Sequence, residues 1–307
     1  MSSPFGHLRL IVNPRGGDRR SRAMLPALRS ALEARGVGCD VAEAVGSEAI
    51  QDAVRTAVDD GVRYVAAVGG DGTVHHVANG LFAEDEPIAD GVVLAIVSAG
   101  QGGNLARTIG MRLPPERLAT RLASPGTMDV DLGVVEFVDE GGEERRCYFT
   151  NAARVGYGAE VTRLTGRLPR SLGRFRHLLA AWAGIRATER HRMTLELAHA
   201  GRKVDAVELA VAQGQFVGAG LRMAPRATPD DGRFNILAFT GQPNQVFVAT
   251  TDMVHGRHLP SPDISEWQSP FVAVDCDPPL RVAVDDELVG RTPARFTLLP
   301  GALRLKI

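Results

Sequence analysis

The chain has few cysteines, almost no lysine and no long apolar run. Its three cysteines, Cys39, Cys147 and Cys276, are too few and too far apart for a disulfide framework. There is no CxxC pair, so a thiolate zinc site is not expected. Such usage fits a reducing cytoplasm. No stretch approaches the run of about 18 apolar residues that a spanning helix needs. The opening MSSPFGHLRLIVNPRGG lacks the layout of a secretory signal. Association with a membrane surface stays open. Only Lys203 and Lys306 are lysines among 35 basic residues, and with 36 acids the net charge is −1. That balance argues against a nucleic-acid partner, which usually meets a strong basic excess.

Familiar catalytic signatures are missing too. Neither lysine follows a glycine, so there is no Walker A loop. The dinucleotide fingerprint G-x-G-x-x-G fails at GQGGNLA and at GYGAEV, which disfavours a classical dehydrogenase. No HExxH occurs, and adjacent His75 and His76 do not share a helix face. No G-x-S-x-G nucleophile elbow occurs either.

What is present is an alternation. His7–Val12 reads as a strand, and Met24, Leu25, Leu28 and Leu32 recur at helical spacing. A strand over Val37–Val41, a helix over Ala49–Val58 and a buried strand over Val62–Val68 follow. Val74, Val77, Ala78 and Leu81 give a helical face, and Val92–Val97 another buried strand. The pattern predicts an α/β region with a parallel sheet covered on both faces, whose ligands bind at the carboxyl ends of the strands. Beyond about Pro125 the chain turns to short strands, from MDVDLGVVEFV to ARFTLLPGALRLKI, with one helix expected near Ser171–Thr188. The 44% hydrophobic content supports real cores, and the length suits two domains.

The stretch VGGDGTVHHVANGL, Val68–Leu81, carries the chemistry. Glycines at a strand–helix junction let a backbone approach phosphate, and a helix start favours anions. Asp71 suits such a site if a cation lies between it and the phosphates, as carboxylates hold Mg²⁺. The plainer reading is a tight turn with Asp71 capping its helix.

Six ordered stretches resemble the diacylglycerol kinase catalytic-domain family, which includes sphingosine and ceramide kinases and is distantly similar to NAD kinases. They are VNPRGG (Val12–Gly17), GGDGTVHHVANGL, GQGGNLARTIGM (Gly100–Met111), TNAARVGYGAEV (Thr150–Val161), FVGAGLRMAPRATPDDGRFNI (Phe216–Ile236) and VDDELVGRTPARFTLLPGALRL (Val284–Leu305). The resemblance implies an ATP- and Mg²⁺-dependent lipid kinase. Its NAD-kinase-like doubly wound domain would span 1–126, and a mostly antiparallel β domain 127–295. The last strand, near 296–307, would return to the first domain, with the active site between the two. It implies nucleotide contacts at Asn13, Gly69, Gly70, Asp71, Gly72, Thr73, Gly100, Gln101 and Asn104. Glu287 would accept the proton of the lipid hydroxyl, and Asp71 would organise Mg²⁺–ATP. A structural Mg²⁺ would sit at Asp231 with backbone oxygens of Thr228 and Arg233.

The departures from that pattern cluster at the chemistry. The usual Asn-Glu after GGDGT is His75–His76. In the third loop Gln101 replaces a hydroxyl, Gly103 an asparagine and Asn104 an acid; Asp286 replaces the glycine of Asp-Gly-Glu. The lost acids predict a raised metal requirement, which Asp286 could partly offset. Several readings stay open: a diacylglycerol kinase, a ceramide or sphingoid-base kinase, a degenerate member that binds without efficient transfer, and an NAD-kinase-like enzyme acting on a soluble alcohol. Residues 163–192 hold many arginines and the apolar series Leu172, Phe175, Leu178, Leu179, Trp182 and Ile185. This predicts either a peripheral membrane contact or a helix packed on the β domain. A homodimer also stays open.

Overall fold

Runs such as YVAAVG and VLAIVS are apolar at every position, as strands buried on both faces must be. The computed structural model describes residues 3–14, 20–98, 103–169, 172–173, 175–186 and 188–307, with backbone alone for 20–22. It divides the chain into one unit of residues 1–132 with 300–307, and a second of 133–299.

In chain order the first unit contains β1 (Leu8–Val12), α1 (Arg20–Glu33), β2 (Cys39–Glu43), α2 (Ser47–Asp59), β3 (Tyr64–Gly69) and α3 (Asp71–Leu81). A small hairpin of β4 (Phe82–Ala83) and β5 (Glu86–Pro87) follows, then β6 (Val93–Ser98), α4 (Asn104–Thr108) and α5 (Pro115–Ala123). The sheet order is β2-β1-β3-β6, all parallel. Alternate residues divide its two faces. Leu8, Leu10, Val12, Tyr64, Ala66 and Val68 meet Leu25, Leu28 and Leu32 of α1 and Leu118 and Leu122 of α5. Helices α2 and α3 pack against each other and against β1 and β3. Their own buried stripes are Ile50, Val54, Ala57 and Val58, and Val74, Val77, Ala78 and Leu81. The two helices cross closely at Gly80, where an added Cβ would lie 2.9 Å from Val54 Cβ and 3.0 Å from Gln51 O.

The second unit follows with β7 (Thr127–Val138), β8 (Glu144–Phe149), β9 (Ala152–Gly156), α6 (Tyr157–Arg167), α7 (Phe175–Arg186), β10 (His191–Leu197), β11 (Ala200–Ala206), β12 (Glu208–Ala212), β13 (Phe234–Phe239), α8 (Pro243–Met253), β14 (Ile264–Ser269), β15 (Phe271–Cys276), β16 (Arg281–Val284) and β17 (Glu287–Lys306). Strands β7 and β17 run through the division, and Leu305 near the end of β17 pairs in parallel with Leu94 of β6. Within the unit the pairings β14-β13-β12-β9-β16-β17 are antiparallel. The period of two separates two cores. Leu209, Val211, Phe234 and Ile236 face a sandwich interior with Phe149, Val274 and Phe296. The residues between them, Ala210, Ala212, Leu237 and Phe239, meet Tyr157, Val246 and Met253 of the helices.

This α/β plus β-sandwich architecture is the expected fold class, with two corrections to its helices. The sequence predicts one helix in the second half, and three are present among the described residues. Helix α6 starts directly where β9 ends at Gly156, just past the stretch RRCYFTNAARVG that reads as strand. Helix α8 is rich in β-branched residues, which lean toward a strand reading until Pro243 at the first turn sets the helix.

Candidate functional site

Three turns follow the carboxyl ends of β1, β3 and β6. At the first, the Asn13 amide donates to Val68 O at the end of β3 (3.3 Å). At the second, a Cβ on Gly69 would run into the buried side chain of Thr73, so only glycine lets α3 begin at once. Gly70 is the cap residue of α3, in extended backbone, and being glycine it offers the helix no side-chain cap. A Cβ on Gly70 would meet nothing within 4 Å. Gly72 is the second helical residue. A helix start that no side chain caps, facing open space, leaves amides for an anion.

Asp71 is the first residue of α3, and its carboxylate reaches beyond its own helix. Its Oδ1 accepts the Asn104 amide at 2.7 Å, thirty-three residues along the chain. The carboxylate therefore ties the start of α3 to the start of α4. Gly103, just before, is left-handed at φ 58°, and a Cβ there would strike Ser98 Oγ. Left-handed backbone together with that contact restricts this position to glycine. Gly100 and Gln101, like residues 15–17 of the first turn, lie outside the described residues. His75 is buried; Asn79 Nδ2 donates to its carbonyl at 2.8 Å, and its ring sits edge-on to that of His76 at 5.1 Å.

In the second unit, β16 and β17 are joined by Asp285 and Asp286, with φ of 48° and 66°. Two residues at positive φ make a type I′ hairpin, the turn that matches strand twist. Buried Asp285 accepts the amides of Thr150 (2.8 Å), Asn151 (2.9 Å) and Ala152 (3.3 Å) and the Thr150 hydroxyl (3.2 Å). Asn151 Nδ2 donates to Phe216 O at 2.7 Å, and Gln213 Nε2 to Phe149 O at 2.8 Å. Burial, and then the Asp285 charge, push the neighbouring Cys147 thiol up to about 12. Beside the hairpin Arg154 grips Glu208 with two nitrogens, at 2.6 and 3.1 Å, and Asp286 adds a second negative charge near the guanidinium. A Cβ on Gly158 would collide with this pair. Glu287 is half-buried as the first residue of β17, opposite Val284, rather than an exposed hairpin acid. Sequence reasoning missed the roles of Asp285 and of the Arg154–Glu208 pair, although Thr150, Arg154 and Asp285 all lie in matched stretches.

Asp231 lies in an exposed turn, and its Oδ1 accepts the Arg233 amide at 3.0 Å; Thr228 is exposed nearby in sequence. Among the described residues no three His, Cys, Asp or Glu side chains gather as a metal cluster. A cation at this turn would therefore rest on one carboxylate and backbone oxygens, a donor set that suits hydrated Mg²⁺.

Two family models match the chain. The diacylglycerol kinase catalytic domain covers residues 7–135, and the YegS C-terminal NAD kinase beta sandwich-like domain covers 151–307. The protein named "Probable lipid kinase YegS-like" of Chromohalobacter salexigens is 30% identical over 92% of this chain and 89% of its own. Its namesake in Klebsiella pneumoniae is 27% identical over 99% of this chain and 97% of its own. The crystal structure of a diacylglycerol kinase from Bacillus anthracis shares the fold, with a TM-score of 0.74 and 19% identity over 99% of this chain and 97% of that one. No helix among the described residues is long and apolar enough to cross a membrane. With one family domain matched in each half and a 30% identical relative along nearly the whole chain, this protein belongs to the YegS-like lipid kinases of the diacylglycerol kinase family, and it is a kinase.

Proposed function

We propose that the chain transfers the terminal phosphoryl group of ATP to the hydroxyl of diacylglycerol or a closely related lipid. The observation that carries this reading is the Asp71–Asn104 bond, which ties two glycine-bearing turns at the carboxyl edge of the sheet beside an uncapped helix start. The α3 amides and the side-chain-free Gly70 cradle phosphate oxygens, with Asn13 and Thr73 alongside. Asp71 would hold Mg²⁺, which would supply the charge neutralisation that phosphoryl transfer needs more than covalent help. Glu287 takes the proton of the lipid hydroxyl as the new bond forms. Asp285 positions Glu287, because its four hydrogen bonds fix the hairpin from which Glu287 departs. In the same reading Asp231 and the carbonyls of Thr228 and Arg233 hold a structural Mg²⁺.

The test is labelled ATP with a panel of diacylglycerol, ceramide, a sphingoid base and phosphatidylglycerol, plus a soluble alcohol. Labelled phosphatidic acid is the expected product. Glu287→Gln should lower kcat about 10²–10⁴-fold while leaving ATP affinity unchanged, and Asp71→Asn should raise the Mg²⁺ requirement. Full turnover by Glu287→Gln would remove that residue from its role.

A further inference from the structure

A helix on a globular surface normally buries its large apolar residues and shows small or polar ones. Helix α7 does the reverse. Ala180 and Gly184 are its buried residues. A Cβ on Gly184 would meet Tyr157, Val161 and Leu164 of α6 at 3.3–3.7 Å, and Tyr157 donates to Ala181 O at 2.9 Å. Small residues thus let α7 settle on α6, which turns the large ones outward. Phe175 is 61% exposed, Leu178 57%, Leu179 46% and Trp182 49%, at spacings of three and four that form one face. Helix α8 packs against α7 and exposes Val248, and Val254 is exposed just past its end.

We infer that this face of α7 is the surface by which the enzyme enters the headgroup layer of an anionic bilayer. The charges select that occupant. Helix α7 contains Arg176 and Arg186 and no acid, and Arg167 closes α6. The Arg186 guanidinium lies over the Trp182 ring at 4.1 Å, so one cation sits at the border of the apolar face. A cationic rim around Trp, Phe and Leu matches an anionic interface. A second copy bound through the same face would bring like charges together. Ile185 is half-buried against the inner core and does not join this face; Arg170 and Arg174 lie outside the described residues. The inference rests on the lipid-kinase reading for its acceptor, which resides in a bilayer.

The test omits nucleotide and acceptor, so it reads docking apart from catalysis. Wild-type protein is sedimented with vesicles of phosphatidylcholine alone and with added phosphatidylserine. At least about tenfold stronger partition onto the anionic vesicles, weakened by salt, is expected. The surface variant Leu178→Glu/Trp182→Glu should lose about tenfold or more of that partition, and Arg176→Glu/Arg186→Glu should lose the anionic preference. Vesicles should shift tryptophan emission to the blue in wild type and in Trp267→Phe, but not in Trp182→Phe. Equal partition of wild type and Leu178→Glu/Trp182→Glu would overturn the inference. So would a vesicle-independent dimer that this variant dissociates, which would assign the face to a second copy.

Discussion

Adjacent glycines in GGDGT have opposite reasons to lack a side chain. At Gly69 the space is taken by Thr73; at Gly70 it is empty. Gly69→Ala should therefore lose stability, about 1–3 kcal/mol as for other overpacked sites, seen as a lower urea midpoint. Gly70→Ala should keep the fold within about 0.5–1 kcal/mol, since its backbone suits alanine, yet raise KM for ATP about tenfold by intruding on the phosphates. Equal effects of the two on KM would detach Gly70 from nucleotide binding. Asp285 shows what a motif hides. Within VDDE it looks like a companion of Glu287, but its carboxylate satisfies four donors of Thr150–Ala152. Asp285→Ala leaves them buried without an acceptor and should cost about 2–4 kcal/mol by chemical denaturation.

Between elements the contacts are equally particular. The Gly80 of ANGL exists for the α2–α3 crossing, where Val54 Cβ and the Gln51 backbone approach. Gly80→Ala should destabilise the first unit by about 1–3 kcal/mol. Val54→Ala in the same chain should recover only part, because the Gln51 backbone cannot retreat; full recovery would place the conflict in side chains alone. The elements read most readily were β1, β3 and β6, whose uninterrupted apolar runs follow from burial on both faces. The edge strand β2 was displaced from Val37–Val41 to Cys39–Glu43, since a half-exposed strand lacks such a run. Helix α4 is too short to show a period, whereas α5 has one in Leu118, Ala119 and Leu122 that the reading passed over, and α6 was passed over because it begins where a strand ends.

At the scale of the molecule, the two units are covalently joined through β7 and β17, and the end of β17 is fastened inside the first. Asp129 pairs with Arg304 at 2.7 Å, which lowers the Asp129 carboxyl, and Gly301 donates to buried Asp131 at 2.9 Å. Fully buried Lys306 donates to Ser124 Oγ (3.2 Å), Gly126 O (2.6 Å) and Ile307 O (2.6 Å). Burial and the nearby Arg121 charge lower its ammonium from 10.5 to about 8. Between those values the unfolded chain binds a proton that the folded chain does not, so this group adds stability as pH rises from about 8 to about 10.5. Raised thiols such as Cys147 act in the opposite sense from about pH 9 upward, so the readout is a difference. The Tm of wild type minus that of Lys306→Met should grow across pH 8–10. A constant difference would mean that Lys306 keeps its proton.

The sequence by itself determined the alternation of the first half, the strand ends where glycine turns fall and the family. These depend on short-range facts: side-chain periodicity, glycine at chain reversals and ordered motifs. Tertiary structure decided what those residues touch. It joined Asp71 to Asn104, joined Asp285 to Thr150 across 135 positions, and turned the apolar face of α7 outward. Periodicity shows that a helix has an apolar stripe, but only packing settles whether that stripe or the small residues behind it meet the neighbouring helix.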